Sequence, residues 1–220
     1  MKKNKLYTLP LITCLCLFFV GCGSDKDIIY ETAENVLQSA MACDVETVSS
    51  YCHENVLTDI CLNAISPEYA ETMIYENIGI EKTSLSEESQ KAISDFCSYY
   101  SGNIIQNYTL GEVTVEDTMA TVIATVTTHS LDSLSSDTFQ TDLNAMMENY
   151  QEEHMDELIS INLNEGNEAM INKVFDDLMP EIMAAMKKSY DSYTPENVNI
   201  EFTFEKTNDT WLIKKAALVQ

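Results

Sequence analysis

The apolar residues of this chain change their spacing three times, and those changes constrain the fold more than any single motif. From residue 27 to 102 they recur at helical intervals. Ile29, Ala33, Val36, Leu37, Ala40 and Met41 form a one-sided stripe over residues 27–42. Cys43-Asp44 breaks it, and Asp44 can cap a short helix carrying Val45, Val48 and Cys52. A further helical pattern carries Val56, Leu57, Ile60, Cys61, Ala64 and Ile65. Ser66-Pro67-Glu68 reads as cap, first-turn proline and first-turn acid. The helix it opens bears Tyr69, Met73 and Ile74 and ends at Gly79. Ser84-x-x-Glu87 reads as a capping box for a helix with Ala92, Ile93, Phe96, Cys97 and Tyr100, closed by Gly102.

Between residues 108 and 129 the period falls to two. Val113 and Val115 precede a turn at Glu116-Asp117; Ala120, Val122, Ala124 and Val126 then share one face of a return strand. Helical spacing returns over 137–190. Phe139, Leu143, Met146, Met147, Tyr150, His154, Leu158 and Ile161 line one helix; after a turn at residues 164–167, Met170, Ile171, Val174, Phe175, Leu178, Ile182, Met183 and Met186 line the next. Pro180 lies inside this second helix and should kink it. Two-residue alternation resumes at Ile200, Phe202 and Phe204, with Asn208-Asp209 as a hairpin turn before Trp211-Leu212-Ile213. The predicted class is α+β: N-terminal helices packed on an antiparallel sheet of about four strands, with a long αα-hairpin inserted between two β-hairpins.

The N-terminus predicts an address. Lys2, Lys3 and Lys5 precede an apolar run from Leu6 to Val20, which has the form of a secretory signal and is short for a membrane span. Its end, Leu17-Phe18-Phe19-Val20-Gly21-Cys22, resembles the lipobox of bacterial lipoproteins, with Phe19 where Leu is usual. The resemblance implies cleavage before Cys22, a diacylglycerol on its sulfur, and attachment to the extracytoplasmic face of the cell membrane. The alternative is an ordinary cleaved signal that happens to precede a cysteine. The expected organisation is a signal over 1–21, a lipidated cysteine and short tether over 22–26, and one α+β domain over 27–220 with 137–190 as a helical insertion.

Charge narrows the partners. All 36 carboxylates lie beyond the signal; removing it takes three of 12 lysines, leaving nine and a formal net charge of −27, and there is no arginine. Such a domain repels nucleic acid and anionic lipid. Lacking arginine, it also lacks the bidentate fork that usually holds phosphate. An apolar share of 45% argues against disorder. Cys43, Cys52, Cys61 and Cys97 remain beyond the lipobox. Four cysteines permit three disulfide pairings in an exported protein; free buried thiols are the alternative.

Helices followed by a twisted antiparallel sheet ending in Asn208-Asp209-Thr210-Trp211-Leu212-Ile213 resemble the nuclear-transport-factor-2-like superfamily, the cystatin-like α+β cones, as found in exported Gram-positive lipoproteins. The break at 43–48 and the hairpin at 108–129 belong to the same resemblance. It implies a curved sheet that can enclose a pocket; the helical pair at 137–190 departs from it. Some cones are enzymes and many only bind, so the fold does not name an activity.

Few constellations carry chemistry. Glu152-Glu153-His154-Met155-Asp156-Glu157 places His154 and Glu157 one turn apart, a spacing a divalent cation can use, although such a run is ordinarily a solvated helix face. His129 has Asp132 nearby and His53 is followed by Glu54, spacings open to acid–base work. No phosphate-binding glycine loop and no nucleophile elbow is present. Seven of the 11 methionines fall in the helical pair, and Met146, Met147, Met170, Met183 and Met186 would line an apolar groove if they are not core. Acidic flanks would favour a basic amphipathic peptide there. The expectation is a non-catalytic binding module without cofactor or metal, for a peptide, an envelope protein or a small apolar ligand. The alternatives are a small-molecule isomerase- or dehydratase-like enzyme of the cone superfamily and a structural subunit of the envelope.

Overall fold

A computed structural model describes residues 24–53, 56, 65–129 and 137–219. The expectations at Cys22, at Cys61 and most of its helical pattern, and at Glu54 and Asp132 lie outside the described residues. The class is α+β. Among the described residues six helices, α1 (Asp25–Met41), α2 (Val45–Ser50), α3 (Pro67–Ile78), α4 (Glu87–Ser101), α5 (Asp137–Asn164) and α6 (Asn167–Ser192), accompany five strands, β1 (Ile105–Leu110), β2 (Thr114–Glu116), β3 (Met119–Thr128), β4 (Glu196–Thr207) and β5 (Thr210–Val219).

The named strands pair antiparallel in four ranks, and Cys52 adds an isolated parallel bridge to Ile213 of β5. β1 and β2 both pair with β3, which pairs with β4, which pairs with β5. Gly111 separates β1 from β2, and its N–H donates to the Ile123 carbonyl at 2.8 Å. At Asn208 and Asp209, φ values of 49° and 64° turn β4 into β5, the left-handed pair that matches strand twist. The alternation behaves as predicted: Ala120, Val122, Ala124, Val126, Phe202, Phe204 and Ile213 are buried on one face. Against them lie Ile29, Ala33, Val36, Leu37 and Ala40 of α1, with Val48 of α2. The other face is open and polar, with Thr125 and Thr127 donating to Asn199 and Asn197 at 2.8 Å each.

The two local breaks near the N-terminus have clear causes. Cys43 sits at φ 59°, and the Asp44 carboxylate accepts the Thr47 N–H at 2.9 Å. α1 starts two residues earlier than expected. Ser24 and Asp27 form a reciprocal capping box, so Asp25 and Lys26 are helical rather than tether. Asp25 accepts from Trp211 Nε1 at 3.2 Å and pairs with Lys206 at 3.1 Å, which seats the start of α1 beside the β4–β5 turn.

Of the six helices, α1 and α2 pack on the sheet, and Val56 and Ile65 are buried in the same core. α3 and α4 join α5 and α6 in a second core built on Ile93, Phe96, Cys97, Tyr100, Leu178, Met179, Met183 and Tyr190. The two cores meet at the end of the sheet remote from the β4–β5 turn. Ile104 packs against both, and the ring of His129, just past β3, lies tilted against that of Tyr190 of α6 with centroids 4.6 Å apart. Of the residues expected on the inner face of α3, Ile74 packs on the second core together with Ala70 and Ile78, whereas Tyr69 and Met73 are exposed. Ser84 ends a short 3-10 turn, and the cap of α4 is Ser86, not Ser84.

Helix α6 passes through Pro180 without a break. A proline has no N–H to give to the carbonyl four residues earlier, here that of Asp176. That carbonyl accepts the Ser89 hydroxyl at 2.6 Å, while the Asp176 carboxylate accepts the Ser86 N–H at 2.7 Å. The gap in the helical ladder of α6 is therefore where α4 docks.

Candidate functional site

The accessible hollows near predicted site residues run along the seam between α5 and α6. The two helices run back to back about a turn at Glu165 and Gly166, whose φ of 98° suits only glycine without strain. One hollow, of about 430 Å³, is bordered by Met146, Tyr150, Glu153, His154, Asp177 and Glu181. A second, of about 320 Å³, shares Met146 and is bordered by Phe139, Lys188 and Tyr193.

Tyr150, His154 and Asp177 of the first hollow belong to a network of hydrogen bonds and ion pairs that extends beyond it to Lys173 and Glu157. The Tyr150 hydroxyl donates to Asp177 at 2.5 Å, and Lys173 pairs with the same carboxylate oxygen at 2.5 Å. Lys173 also lies 3.8 Å from Glu157, whose other oxygen is 3.1 Å from His154 Nδ1. His154 stacks on the Tyr150 ring at 4.3 Å. Burial and the bond to Asp177 push the Tyr150 hydroxyl well above its ordinary range. Burial raises the Asp177 carboxyl, but the hydrogen bonds from Lys173 and Tyr150 outweigh it and the net displacement is downward. Lys173 is held above its usual range by the hydrogen bond to Asp177. Tyr150 thus stays protonated, Asp177 ionised and Lys173 charged at neutral pH. These three groups can hold a ligand by charge and hydrogen bonds; none is poised to exchange a proton.

The methionines fall differently. Met183 is buried in the second core, and Met146, Met147, Met170 and Met186 are half-buried against it. They fill space between α5, α6 and α4, and only Met146 borders the hollows. In place of the expected Met-lined groove the seam holds a mainly polar hollow and a mainly apolar one, with Met146 bordering both. His154 and Glu157 do face one another as their spacing predicts, yet among the described residues no three His, Cys, Asp or Glu side chains are grouped to hold a metal ion.

Cys43 and Cys52 are free, half-buried thiols near the sheet core; Cys97 is a free thiol buried in the helical core. His53 lies 3.8 Å from Glu205. His129 Nδ1 and the Tyr190 hydroxyl are buried and have no hydrogen-bond partner among the described residues. The space between α1 and the sheet, where a cone would hold its ligand, is filled by the side chains of the first core. No helix among the described residues is long and apolar enough to cross a membrane.

Sequence spacing could have found the Lys173–Asp177 pair, which is i, i+4 on a helix. The link from Tyr150 to Asp177 joins two helices and had no local signal. No family model, no curated protein and no solved structure matches this chain.

Proposed function

We propose that this chain is an extracytoplasmic lipoprotein, held at the cell membrane through Cys22, whose domain binds a peptide or envelope protein and catalyses nothing. The carrying observation is the filled interior of the sheet unit. Ile29, Ala33, Val48, Ala124, Phe204 and Ile213 are all fully buried there, which leaves no chamber for a substrate between α1 and the sheet. Among the described residues the hollows lie on the helical unit, and in the first of them Tyr150 is held protonated and Asp177 ionised at neutral pH. The start of α1 lies at the opposite end of the sheet from that unit, so an anchor at Cys22 would leave the seam facing away from the bilayer. A cone-type enzyme would need a deep pocket with a buried acid or base.

Two measurements test the reading. Intact mass of the native membrane-extracted protein is expected to give a chain starting at Cys22 with a lipid increment; a chain starting at Met1, or one trimmed without lipid, refutes the anchor. A photo-crosslinking amino acid in place of Glu153, at the seam, is expected to capture a discrete protein adduct in intact cells. The same probe in place of Glu46, exposed on α2, should capture none. Equal capture at both positions, or none at Glu153, refutes the seam as a binding site.

A further inference from the structure

The outward side of α5 carries an apolar row that the core does not use. Met155, Ile159 and Leu163 recur every fourth residue and are 51%, 50% and 80% exposed. Residues four apart lie one above another on a helix, so the three make one stripe. Tyr150 and Leu158, the core contacts of this half of the helix, are buried; Tyr150 faces away from the stripe and Leu158 flanks its edge. Single exposed apolar residues are ordinary; three in register on one helix are not scattered.

The charge beside the stripe selects what can lie on it. Helix α5 holds seven carboxylates, at Asp137, Asp142, Glu148, Glu152, Glu153, Asp156 and Glu157, and no lysine or arginine. Glu148, Glu152 and Asp156 sit on the stripe's own side at the same three- and four-residue spacings, and all three are exposed. A second copy would bring seven more carboxylates to the same place, and an anionic bilayer would be repelled.

We propose that the outer face of α5 docks a cationic amphipathic helix of a partner protein. Apolar residues of that helix at i, i+4 and i+8 would cover Met155, Ile159 and Leu163, and its flanking lysines or arginines would meet Glu148, Glu152 and Asp156. This surface rests on the binding-module reading but is distinct from the seam.

The test uses the full chain and a fluorescent helical peptide of about 18 residues made of Leu and Lys, with Leu on one face. Anisotropy should report saturable binding that weakens with added salt. Ile159→Glu and Leu163→Glu should each weaken it about tenfold or more, with the circular dichroism spectrum unchanged, while Ile159→Met should leave it within about twofold of the parent. A peptide of the same composition with its Leu face scrambled should also bind about tenfold more weakly. Absence of saturable binding, or equal binding of the scrambled peptide, overturns the proposal. So does a dimer of the chain that Leu163→Glu dissociates, or attachment to lipid vesicles that Leu163→Glu abolishes. Binding that ignores Ile159→Glu and Leu163→Glu but is lost with Glu153→Lys and Glu181→Lys moves the peptide to the seam; the binding module then stands and this surface falls.

Discussion

The dock between α4 and α6 gives the sharpest test of how the helical unit is held together. Ser89 is almost wholly buried, and its hydroxyl donates at 2.6 Å to the Asp176 carbonyl, which Pro180 leaves without a helical donor. Ser89→Ala strands a buried carbonyl, at a cost of about 1–3 kcal/mol. For a chain of this size each kcal/mol moves Tm by about 2–4 °C, so a loss near the middle of that range lowers Tm by about 4–8 °C. Pro180→Ala restores an N–H at the position that faces the Asp176 carbonyl. Ser89→Ala in that background should then cost less than about 1 kcal/mol, because the acceptor keeps a partner. Urea denaturation of the parent, the two single variants and the double variant reads the coupling, expected at about 1–2 kcal/mol. If Ser89→Ala costs the same with proline or alanine at position 180, the proline-orphaned carbonyl is not what Ser89 serves, and the reasoning fails.

Three further outcomes follow. The Asp25 carboxyl is held below its ordinary value of 3.8 by hydrogen bonds from Trp211 and then Lys206. Its contribution is complete above the unfolded-state value and is lost as pH falls through the lower folded one. Emission of the single tryptophan should therefore show an acid step with a midpoint below 3.8 that Asp25→Asn removes. Burial pushes the Cys52 thiol up to about 11 and the Cys97 thiol up to about 12. The thiolate at pH 8 is then about 10⁻³ and 10⁻⁴ of each, against about a quarter of a free cysteine. Peptide mapping after iodoacetamide should find Cys43 labelled first and Cys97 last; equal rates would refute this. Tyr190→Phe removes a buried hydroxyl that has no partner among the described residues. It should leave stability unchanged or raise it by up to about 1 kcal/mol, and a fall of that size in denaturation would show that the hydroxyl is satisfied after all.

Where a residue's fate depended on its near neighbours, the sequence was readable. The stripe of α1, the alternation of β3 and β4, the Asp44 cap and the left-handed Asn208-Asp209 turn all follow from local spacing and local turn chemistry. Helix periodicity reports that a helix has a buried side, not what buries it. That is why α3 and α4, read as cover for the sheet, instead pack with α5 and α6, and why Tyr69 and Met73 turn outward. Ser86 rather than Ser84 caps α4 because its N–H reaches Asp176, ninety residues on. The seam was half legible. The methionine excess pointed to α5 and α6, but the Tyr150–Asp177 bond across them, like the role of Pro180, exists only once the two helices are paired with their neighbours.

The position of the first turn of α1 has an electrostatic consequence. β4 alone spans twelve residues, about 36 Å of rise, between the turn beside Asp25 and the end where the helical unit begins. With a screening length of about 8 Å at physiological ionic strength, a chain hung from Cys22 with its sheet upright would carry α5 and α6 more than four such lengths above the headgroups. A surface potential there has decayed to about one part in a hundred of its value. An approaching cation would sense the carboxylates of the helices and almost nothing of the lipid beneath them.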